Sequence, residues 1–135
     1  MIHAAPHTSA NISTRTISKA GGKATYRSAV KVTPNAHHAK CSVNCESLML
    51  DDLSRSDTLP VMDIQGDEAD IGHEATIGRI SEEAVFYLMC RGISEEEARA
   101  MIVRGFVEPI AKELPLEYAV EMNNLINIEL EGTMG

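Results

Sequence analysis

The hydrophobic pattern of this chain changes its period once, and this change constrains the fold more than any other feature. From Asn11 to Ile80 apolar and polar residues alternate, which is typical of strands with one apolar face. From Ser81 onward apolar residues recur three to four positions apart, as on one face of a helix. Strands followed by helices predict an α+β fold with a strand unit at residues 1–79 and a helical unit at residues 80–135.

Turn residues divide the alternating part of the chain into segments. They cluster at Gly21-Gly22, at Pro34-Asn35, from Ser54 to Asp57, and at Gly66-Asp67. Glycine, proline, asparagine and aspartate favour turns between strands, so the pattern predicts an all-β region of many short strands. No internal repeat is strong enough to identify a solenoid from the pattern alone.

The helical part begins with two sets of helix signals. Ser81 precedes acidic residues and an apolar run that stops at Gly92, which predicts a capped first helix. Ser94 and Glu97 have the spacing of a capping box, which predicts the start of a second helix. This second helix is expected to end at Gly105.

Two prolines mark the rest of the helical part. Pro109 is expected to interrupt or restart the second helix, because proline is tolerated at a helix start and is costly inside one. Pro115 predicts the start of a last helix that ends before Gly132. Its apolar residues share one stripe: Tyr118, Met122, Leu125, Ile126 and Leu130.

The charge of the chain is unevenly distributed. The net charge is −8, yet residues 1–45 contain six Lys and Arg and no acid. Cations recur every four residues from Arg15 to Lys31, with only Tyr26 as an interleaved aromatic. This pattern favours a solvated face or an acidic protein partner over a nucleic acid. The acidic remainder of the chain can supply such a surface in a homo-oligomer.

Composition and cysteine count indicate a reducing compartment. A chain of 135 residues predicts one domain at most. Hydrophobic residues make up 44% of the chain and aromatics 4%, so we expect an aliphatic core. Three cysteines, an odd number, argue against a secreted disulfide scaffold. The first residues lack the apolar core of a signal peptide, and no run is long enough to span a membrane. A cytoplasmic location without a membrane partner is the expectation.

Cys41 and Cys45 are candidate sulfur or metal ligands in a strand-like run. Residues four apart on a strand share a side but are separated by roughly 13 Å at ~3.3 Å per residue, too far for one tetrahedral ion or a disulfide. A thiol near Val43 and Leu48 is more often a small buried hydrophobe than a ligand. From the residues alone, both interpretations of Cys45 stay open.

His73 and Glu74 form the second candidate pair. Thiolates and a His/Glu pair are residue types with which proteins bind iron and sulfur. Neighbours on a regular strand face opposite sides, so a shared site would need a bulge or a bend. His73 shares its side with Ile71 and Ala75, so a packing or subunit-interface role is as well supported as ligation.

The sequence contains no recognisable catalytic motif. It has no Gly-rich phosphate loop ending in Gly-Lys-Ser/Thr and no His-Glu-x-x-His zinc motif. An enzyme with Cys45 as nucleophile and His73 as base would need hydrogen-bond contact and an oxyanion site, and the spacing indicates neither. We therefore expect that the chain is not an enzyme.

Several long segments of the chain resemble one known family. They are CESLMLDDLSRSDTLP, GHEATIGRI, RGISEEEARAMIVRGF and ELPLEYAVEMN, with IHAAPHTSA and GGKATYRSAVKV before them. In these segments the chain resembles the carboxy-terminal part of the SufB/SufD family of iron–sulfur cluster assembly proteins. The resemblance implies that residues 1–79 form the end of a right-handed parallel β-helix that is truncated at its N-terminus. Residues 80–135 would then form a small C-terminal helical domain. A truncated β-helix exposes an unpaired strand edge, so we expect this segment to fold poorly without a partner.

The resemblance also implies roles for particular residues. Cys45, at the head of CESLML, would accept sulfur and help to hold a transient iron–sulfur cluster, and Glu74 of GHEAT would assist as an iron ligand. His73 is a candidate ligand or interface residue. Cys41 is a candidate accessory ligand or packing residue, and Cys90 a packing or surface residue.

Partners follow from the same resemblance. They are a SufC-type ATPase that docks on the helices between about Ser81 and Leu116, SufD or a second SufB-type chain, and a separate sulfur donor protein. Reduced flavin is implied as an electron source in the full complex. The leading hypothesis is a scaffold for cluster assembly. The alternative is a truncated interaction module that binds the SufC ATPase and no longer builds clusters.

Overall fold

A computed structural model describes residues 1–66 and 68–131 of the chain. The chain divides into two compact units, Met1–Arg79 and Ile80–Gly135. In the described residues the first unit contains strands and the second contains helices, so the fold is α+β as the change of period predicts. None of the described helices is both long enough and apolar enough to cross a membrane.

The strands of the first unit are long. After a two-residue strand, β1, five strands of ten residues each follow in the described residues. Their bounds are Ile2–His3 (β1), Ser9–Ser18 (β2), Lys23–Val32 (β3), Lys40–Met49 (β4), Arg55–Ile64 (β5) and Asp70–Arg79 (β6). The expectation of many short strands is therefore wrong in length, because the alternation continues through each segment almost to the next turn.

The turn predicted from Ser54 to Asp57 lies a few residues earlier in the chain, between Asp51 and Ser54. The Oδ1 atom of Asp51 accepts the backbone N–H groups of Leu53 at 2.8 Å and of Ser54 at 2.7 Å. The Ser54 hydroxyl donates to Oδ2 of the same carboxylate at 2.8 Å. Because this Asp51 carboxylate closes the turn by Ser54, Arg55 and Asp57 belong to β5 and were wrongly predicted as turn residues.

The strands form two parallel sheets, with the orders β1-β3-β5 and β2-β4-β6. Consecutive strands along the chain therefore alternate between the sheets. Ser9 pairs with Lys40, which lies 31 positions later, and Lys40 pairs with Asp70, which lies 30 positions later. The structure thus contains a period of about 30 residues that the sequence pattern did not show.

The core of the first unit lies between the two sheets. Cys41, Val43 and Cys45 alternate along the inner face of β4 and are buried together with Val30 of β3. A second buried cluster contains Val32. The buried hydrophobic side chains of this unit are aliphatic or sulfur-containing, as the low aromatic content predicts.

The basic residues of the first half pair with acids of the neighbouring strand. Arg15 on β2 contacts Glu46 on β4, its register partner, with a nitrogen–oxygen distance of 3.0 Å. Lys31 on β3 lies 3.6 Å from Asp63, its register partner on β5. The acidic surface expected from a protein partner is thus supplied, at these positions, by the same chain.

The described helices of the second unit are α1 (Glu82–Met89), α2 (Glu95–Ala111) and α3 (Leu116–Glu131). The predicted caps of the first two are present, since the Ser81 hydroxyl accepts the N–H of Ala84 and the Ser94 hydroxyl accepts the N–H of Glu97. Caps of this kind satisfy backbone donors that a helix start leaves without a partner.

The end of α2 differs from the prediction. The helix continues through Gly105 and contains Pro109, so the expected stop and the expected interruption are both wrong. Proline crowds the carbonyl four residues before it, and that residue is Gly105, which has no side chain to add to the crowding. Burial of Val103 and Val107 on the same helix also favours its continuation.

The stripe predicted for α3 is only partly buried. Tyr118 and Leu125 are 68% and 53% exposed, whereas Met122, Ile126 and Leu130 are half-buried. The helix begins at Leu116, directly after Pro115. Gly132 lies outside the described residues.

Candidate functional site

Strand β4 presents both of its cysteines to the inner face of its sheet. Cys41 is 3% exposed and Cys45 is 2% exposed, with Val43 between them on the same face. The strand is regular from Lys40 to Met49, and every one of its residues pairs with both neighbouring strands. A regular strand keeps the two thiols too far apart to bind one tetrahedral ion.

The structure brings Cys45 together with His73. The Sγ atom of Cys45 lies 3.4 Å from Nε2 of His73, a distance at which thiol and imidazole form a hydrogen bond. His73 is the register partner of Val43, so its ring leans along β6 toward Cys45 on the same face of the sheet. His73 is half-buried, whereas Ala75, which follows it on this face, is exposed. The Cys45 thiol therefore lies on the strand next to β6, the edge strand of the described sheet, and the inner face of β6 is partly exposed.

Glu74 lies on the opposite face of the same sheet. It is exposed and pairs with Asn44, whose side chain lies 3.5 Å from Glu46 on the outer surface. Strand β6 pairs with β4 in continuous register from Asp70 to Arg79, without a bulge. The structure therefore separates Glu74 from His73 by the full thickness of the sheet, and it does not bring the Glu74 carboxylate to Cys45.

The donor atoms at this site number two, a thiol sulfur and an imidazole nitrogen. Within residues 1–66 and 68–131, no three histidine, cysteine, aspartate or glutamate side chains converge to hold a metal ion. Sulfur and imidazole are suitable donors for iron in an iron–sulfur cluster. The described residues thus provide part of a ligand set.

The thiol–imidazole pair defines the chemistry available here. The imidazole can accept the thiol proton and, once protonated, can donate a hydrogen bond to the thiolate. A thiolate is the form of cysteine that attacks sulfur or binds metal. The arrangement is therefore suited to a cysteine that takes up sulfur or iron.

Two further polar residues face this part of the core, and the sequence analysis did not identify them as site residues. Tyr26 of β3 packs against the cluster that contains Cys41 and Cys45. Burial raises the pKa of the Tyr26 hydroxyl, and the neighbouring charges of Cys45 and Cys41 raise it further. Thr58 of β5 is the register partner of Tyr26. The local alternation of β3 does not reveal which strand lies opposite Tyr26.

The third cysteine and two further histidines are exposed on their own units. Cys90 is exposed at the carboxyl end of α1, in the second unit. His37 and His38 are exposed beside a turn, where a nitrogen of each ring lies 3.5 Å from a Glu68 oxygen. These positions favour surface roles.

Comparison with known proteins identifies the class. The family model for the SUF system FeS cluster assembly proteins, SufBD core domain, matches residues 1–106. The chain belongs to this family.

Curated relatives match the whole chain. It is 53% identical over 135 residues to SufB, an iron–sulfur cluster assembly protein of Bacillus subtilis. The identity is also 53% to a SufBD family protein of Mycobacterium tuberculosis and to one of Staphylococcus aureus. The chain spans 29% of the Bacillus and Staphylococcus proteins and 16% of the Mycobacterium protein.

Proposed function

We propose that this chain is the sulfur-accepting part of a scaffold for iron–sulfur cluster assembly, with Cys45 as the acceptor. The observation that carries the proposal is the hydrogen bond between Cys45 and His73. Membership of the SufBD core family supplies the context of cluster assembly. The chain is a scaffold and not an enzyme in this proposal, because the sulfur donor and the ATPase are separate proteins.

The proposed sulfur step needs no external oxidant. The Cys45 thiolate attacks the outer sulfur of a persulfide on the donor protein. A new sulfur–sulfur bond forms at Cys45 while the sulfur–sulfur bond of the donor breaks, and the donor leaves as a thiolate. His73, at 3.4 Å, is positioned to take the Cys45 thiol proton before the attack.

Glu74 has the role of an iron-binding carboxylate in this proposal. Its exposure on the outer face suits the capture of ferrous iron before sulfide arrives, because a carboxylate is one of the ligands that bind ferrous iron in non-haem sites. Glu74 and Cys45 lie on opposite faces of the sheet, so a shared ligand role would require a rearrangement of β6. Strand β6 is an edge strand in the described sheet, so it has one neighbour to hold its register.

A partner chain at the sheet edges would supply further iron ligands. Strands β5 and β6 end the two sheets, and they expose Leu59, Val61, Met62, Ile64 and Ile77. Edge strands with exposed apolar side chains are suited to pairing with another chain. We assign SufD or a second SufB-type chain to this edge. The two sheets, with their period of about 30 residues, would then form the end of a right-handed parallel β-helix.

The helical unit is assigned to a SufC-type ATPase. Phe86 and Tyr87 of α1 are 67% and 55% exposed, and Leu116 at the start of α3 is 76% exposed. Large apolar side chains at a surface favour protein binding. This observation also favours the second candidate function, an interaction module that binds SufC without building clusters.

The remaining parts of the proposal concern the setting. Assembly would take place in the cytoplasm within a SufBCD complex, the product would be a transient cluster passed on to other proteins, and reduced flavin would supply electrons. Cys41, buried on the same face as Cys45, is assigned to packing.

Anaerobic reconstitution with ferrous iron and sulfide tests the scaffold function. The readout is visible absorbance of the wild type, Cys45→Ala, Glu74→Ala and Cys41→Ala, each measured with and without SufC and SufD. Cys41→Ala is the matched control because it removes an equally buried thiol from the same face of the same strand. We expect colour in the wild type and Cys41→Ala, little in Cys45→Ala, and reduced colour in Glu74→Ala.

Two results would separate the candidate functions. Colour that does not depend on Cys45 would contradict its assignment as acceptor. Retention of SufC in a pull-down, with no colour in any variant, would favour the interaction module.

A further inference from the structure

The inner face opposite Cys45 carries two hydroxyl groups. Tyr26 on β3 and Thr58 on β5 are Cα partners in a parallel ladder, so their side chains lie next to each other on one face of their sheet. Tyr26 packs against the cluster that contains Cys45, which identifies this face as the one toward β4. The core between the sheets therefore contains hydroxyl groups among aliphatic side chains.

A hydrogen bond between the sheets shows where Thr58 lies along β4. The Ser56 hydroxyl donates to the Ser47 hydroxyl at 2.8 Å, across the two sheets. Ser47 lies two residues before the end of β4, and Ser56 is the second residue of β5, so both flank the same connection. Cys45 lies two positions before Ser47 on β4, and Thr58 lies two positions after Ser56 on β5. Both residues are therefore two positions farther from the connection than the two serines. Thr58 therefore lies opposite Cys45.

The Thr58 hydroxyl is buried and has no hydrogen-bond partner among the described residues. A buried polar atom without a partner is unfavourable, so its retention calls for a functional or structural explanation. Burial and the nearby thiols keep the Tyr26 hydroxyl protonated, because they raise its pKa. Both hydroxyls are therefore available as hydrogen-bond donors toward the Cys45 side of the core.

We propose that Tyr26 and Thr58 are positioning residues that donate hydrogen bonds to the outer sulfur of a persulfide on Cys45. This inference rests on the proposed function of Cys45 as sulfur acceptor. His73 contacts the Cys45 sulfur from the neighbouring strand of the same sheet. The two hydroxyls face it from the other sheet, where an added sulfur atom would extend.

The chemistry explains why such donors are useful. Transfer of sulfur from a donor persulfide gives a Cys45 persulfide and a donor thiolate. The outer sulfur of the Cys45 persulfide then loses its proton to solvent, because a persulfide is a stronger acid than a thiol, and it carries a negative charge. A charge inside an aliphatic core is unfavourable unless hydrogen bonds satisfy it. Two hydroxyl donors would hold this sulfur in place and protect it from attack by other thiols until iron arrives.

Persulfide lifetime tests the proposal. The full chain is loaded anaerobically with glutathione persulfide, and intact-mass spectrometry follows the gain and then the loss of one sulfur atom in the presence of excess dithiothreitol. Cys41→Ala, Cys90→Ala is the common background, so that only Cys45 carries sulfur. On this background the variants are Tyr26→Phe, Thr58→Val and their combination.

We expect loss of sulfur to be about tenfold faster in Tyr26→Phe and in Thr58→Val, which corresponds to about 1.4 kcal/mol for each lost hydrogen bond, and faster still in the double variant. Thr58→Ser on the same background retains the hydroxyl and should show the persulfide lifetime of the background protein. A purely structural role of Thr58 would not require this recovery. Tyr118→Phe, at an exposed tyrosine of α3, is the matched control and should leave the lifetime unchanged.

Equal persulfide lifetimes in the background protein and in the double variant would overturn this inference and leave Cys45 as the acceptor. Failure of the background protein to gain any sulfur would overturn both this inference and the proposed function. Circular dichroism of each variant shows whether the fold is retained. If Tyr26→Phe does not fold, the comparison of Thr58→Val with Thr58→Ser decides the question.

Discussion

The Sγ atom of Cys45 lies 3.4 Å from the Nε2 atom of His73, a residue 28 positions later in the chain. The contact depends on the parallel pairing of β4 with β6, which places His73 beside Val43 and lets its ring reach the next residue on that face. It gives a cysteine in an aliphatic core one polar partner on its own sheet. The reactivity of Cys45 should therefore depend on a distant histidine.

Replacement of His73 should slow the reaction of Cys45 with electrophiles. In His73→Ala the thiol loses its proton acceptor, and we expect alkylation by iodoacetamide at neutral pH to be about five- to tenfold slower, in line with a lost hydrogen bond of about 1 to 1.4 kcal/mol. Peptide mass spectrometry of Cys45 measures this rate. His37→Ala, at an exposed histidine, is the control. An unchanged rate in His73→Ala would mean that the imidazole does not activate the thiol.

Val43 should contribute strongly to the stability of the strand unit. It is 1% exposed, and Val43→Ala removes two methyl groups from a closely packed position between the sheets. We expect the free energy of unfolding to fall by about 2 kcal/mol from lost burial and the resulting cavity. Urea denaturation monitored by circular dichroism measures it. Val61→Ala is the control, because Val61 is 61% exposed on a strand of the same unit and should change stability little.

The strand pattern explains what could be predicted from the sequence and what could not. Alternation identified the inner face of β4, because side chains on a strand alternate whatever its neighbours are. It could not reveal that Cys45 meets His73, or that Thr58 faces Cys45. Cys45 meets His73 through a register between residues about 30 apart, and Thr58 faces Cys45 through the packing of one sheet on the other. No local pattern encodes either relationship. The end of α2 was missed for a similar reason, since burial of Val107 outweighs the local cost of Pro109.

The turn at Asp51 should make stability depend on acid pH. The Ser54 hydroxyl, and then the backbone N–H groups that Asp51 accepts, lower the pKa of this carboxyl below its ordinary value of 3.8. A lowered folded-state pKa stabilises the fold at pH above 3.8, and this stabilisation is lost as the pH falls through the folded-state pKa.

Asp51→Asn removes this dependence. We expect the variant to be less stable than the wild type at about pH 6, and the difference to shrink below about pH 3. Urea midpoints across this range measure the difference. Asp52→Asn is the control, because Asp52 lies in the same turn and its side chain is 87% exposed. A stability difference that is constant from neutral to acid pH would contradict the role assigned to the Asp51 carboxylate.

The cap of α2 provides a test in the helical unit. The Ser94 hydroxyl accepts the N–H of Glu97 at 3.3 Å, and Ser94→Ala leaves that donor without a side-chain partner. We expect a loss of about 1 kcal/mol in the free energy of unfolding of this unit and a decrease in helical signal. Ser94→Asp retains an acceptor and should match the wild type. A full loss of stability in both variants would show that the hydroxyl acts through something other than capping.

The pairing of equivalent positions every 29 to 32 residues limits how this chain can change in length. A residue inserted inside a ten-residue strand would turn every later side chain of that strand to the wrong face, and it would break the pairing of this strand with its neighbours. A residue inserted in a connection such as 50–54 would only enlarge a corner. Insertions and deletions among homologous chains should therefore collect at the corners and leave the strands unchanged in length.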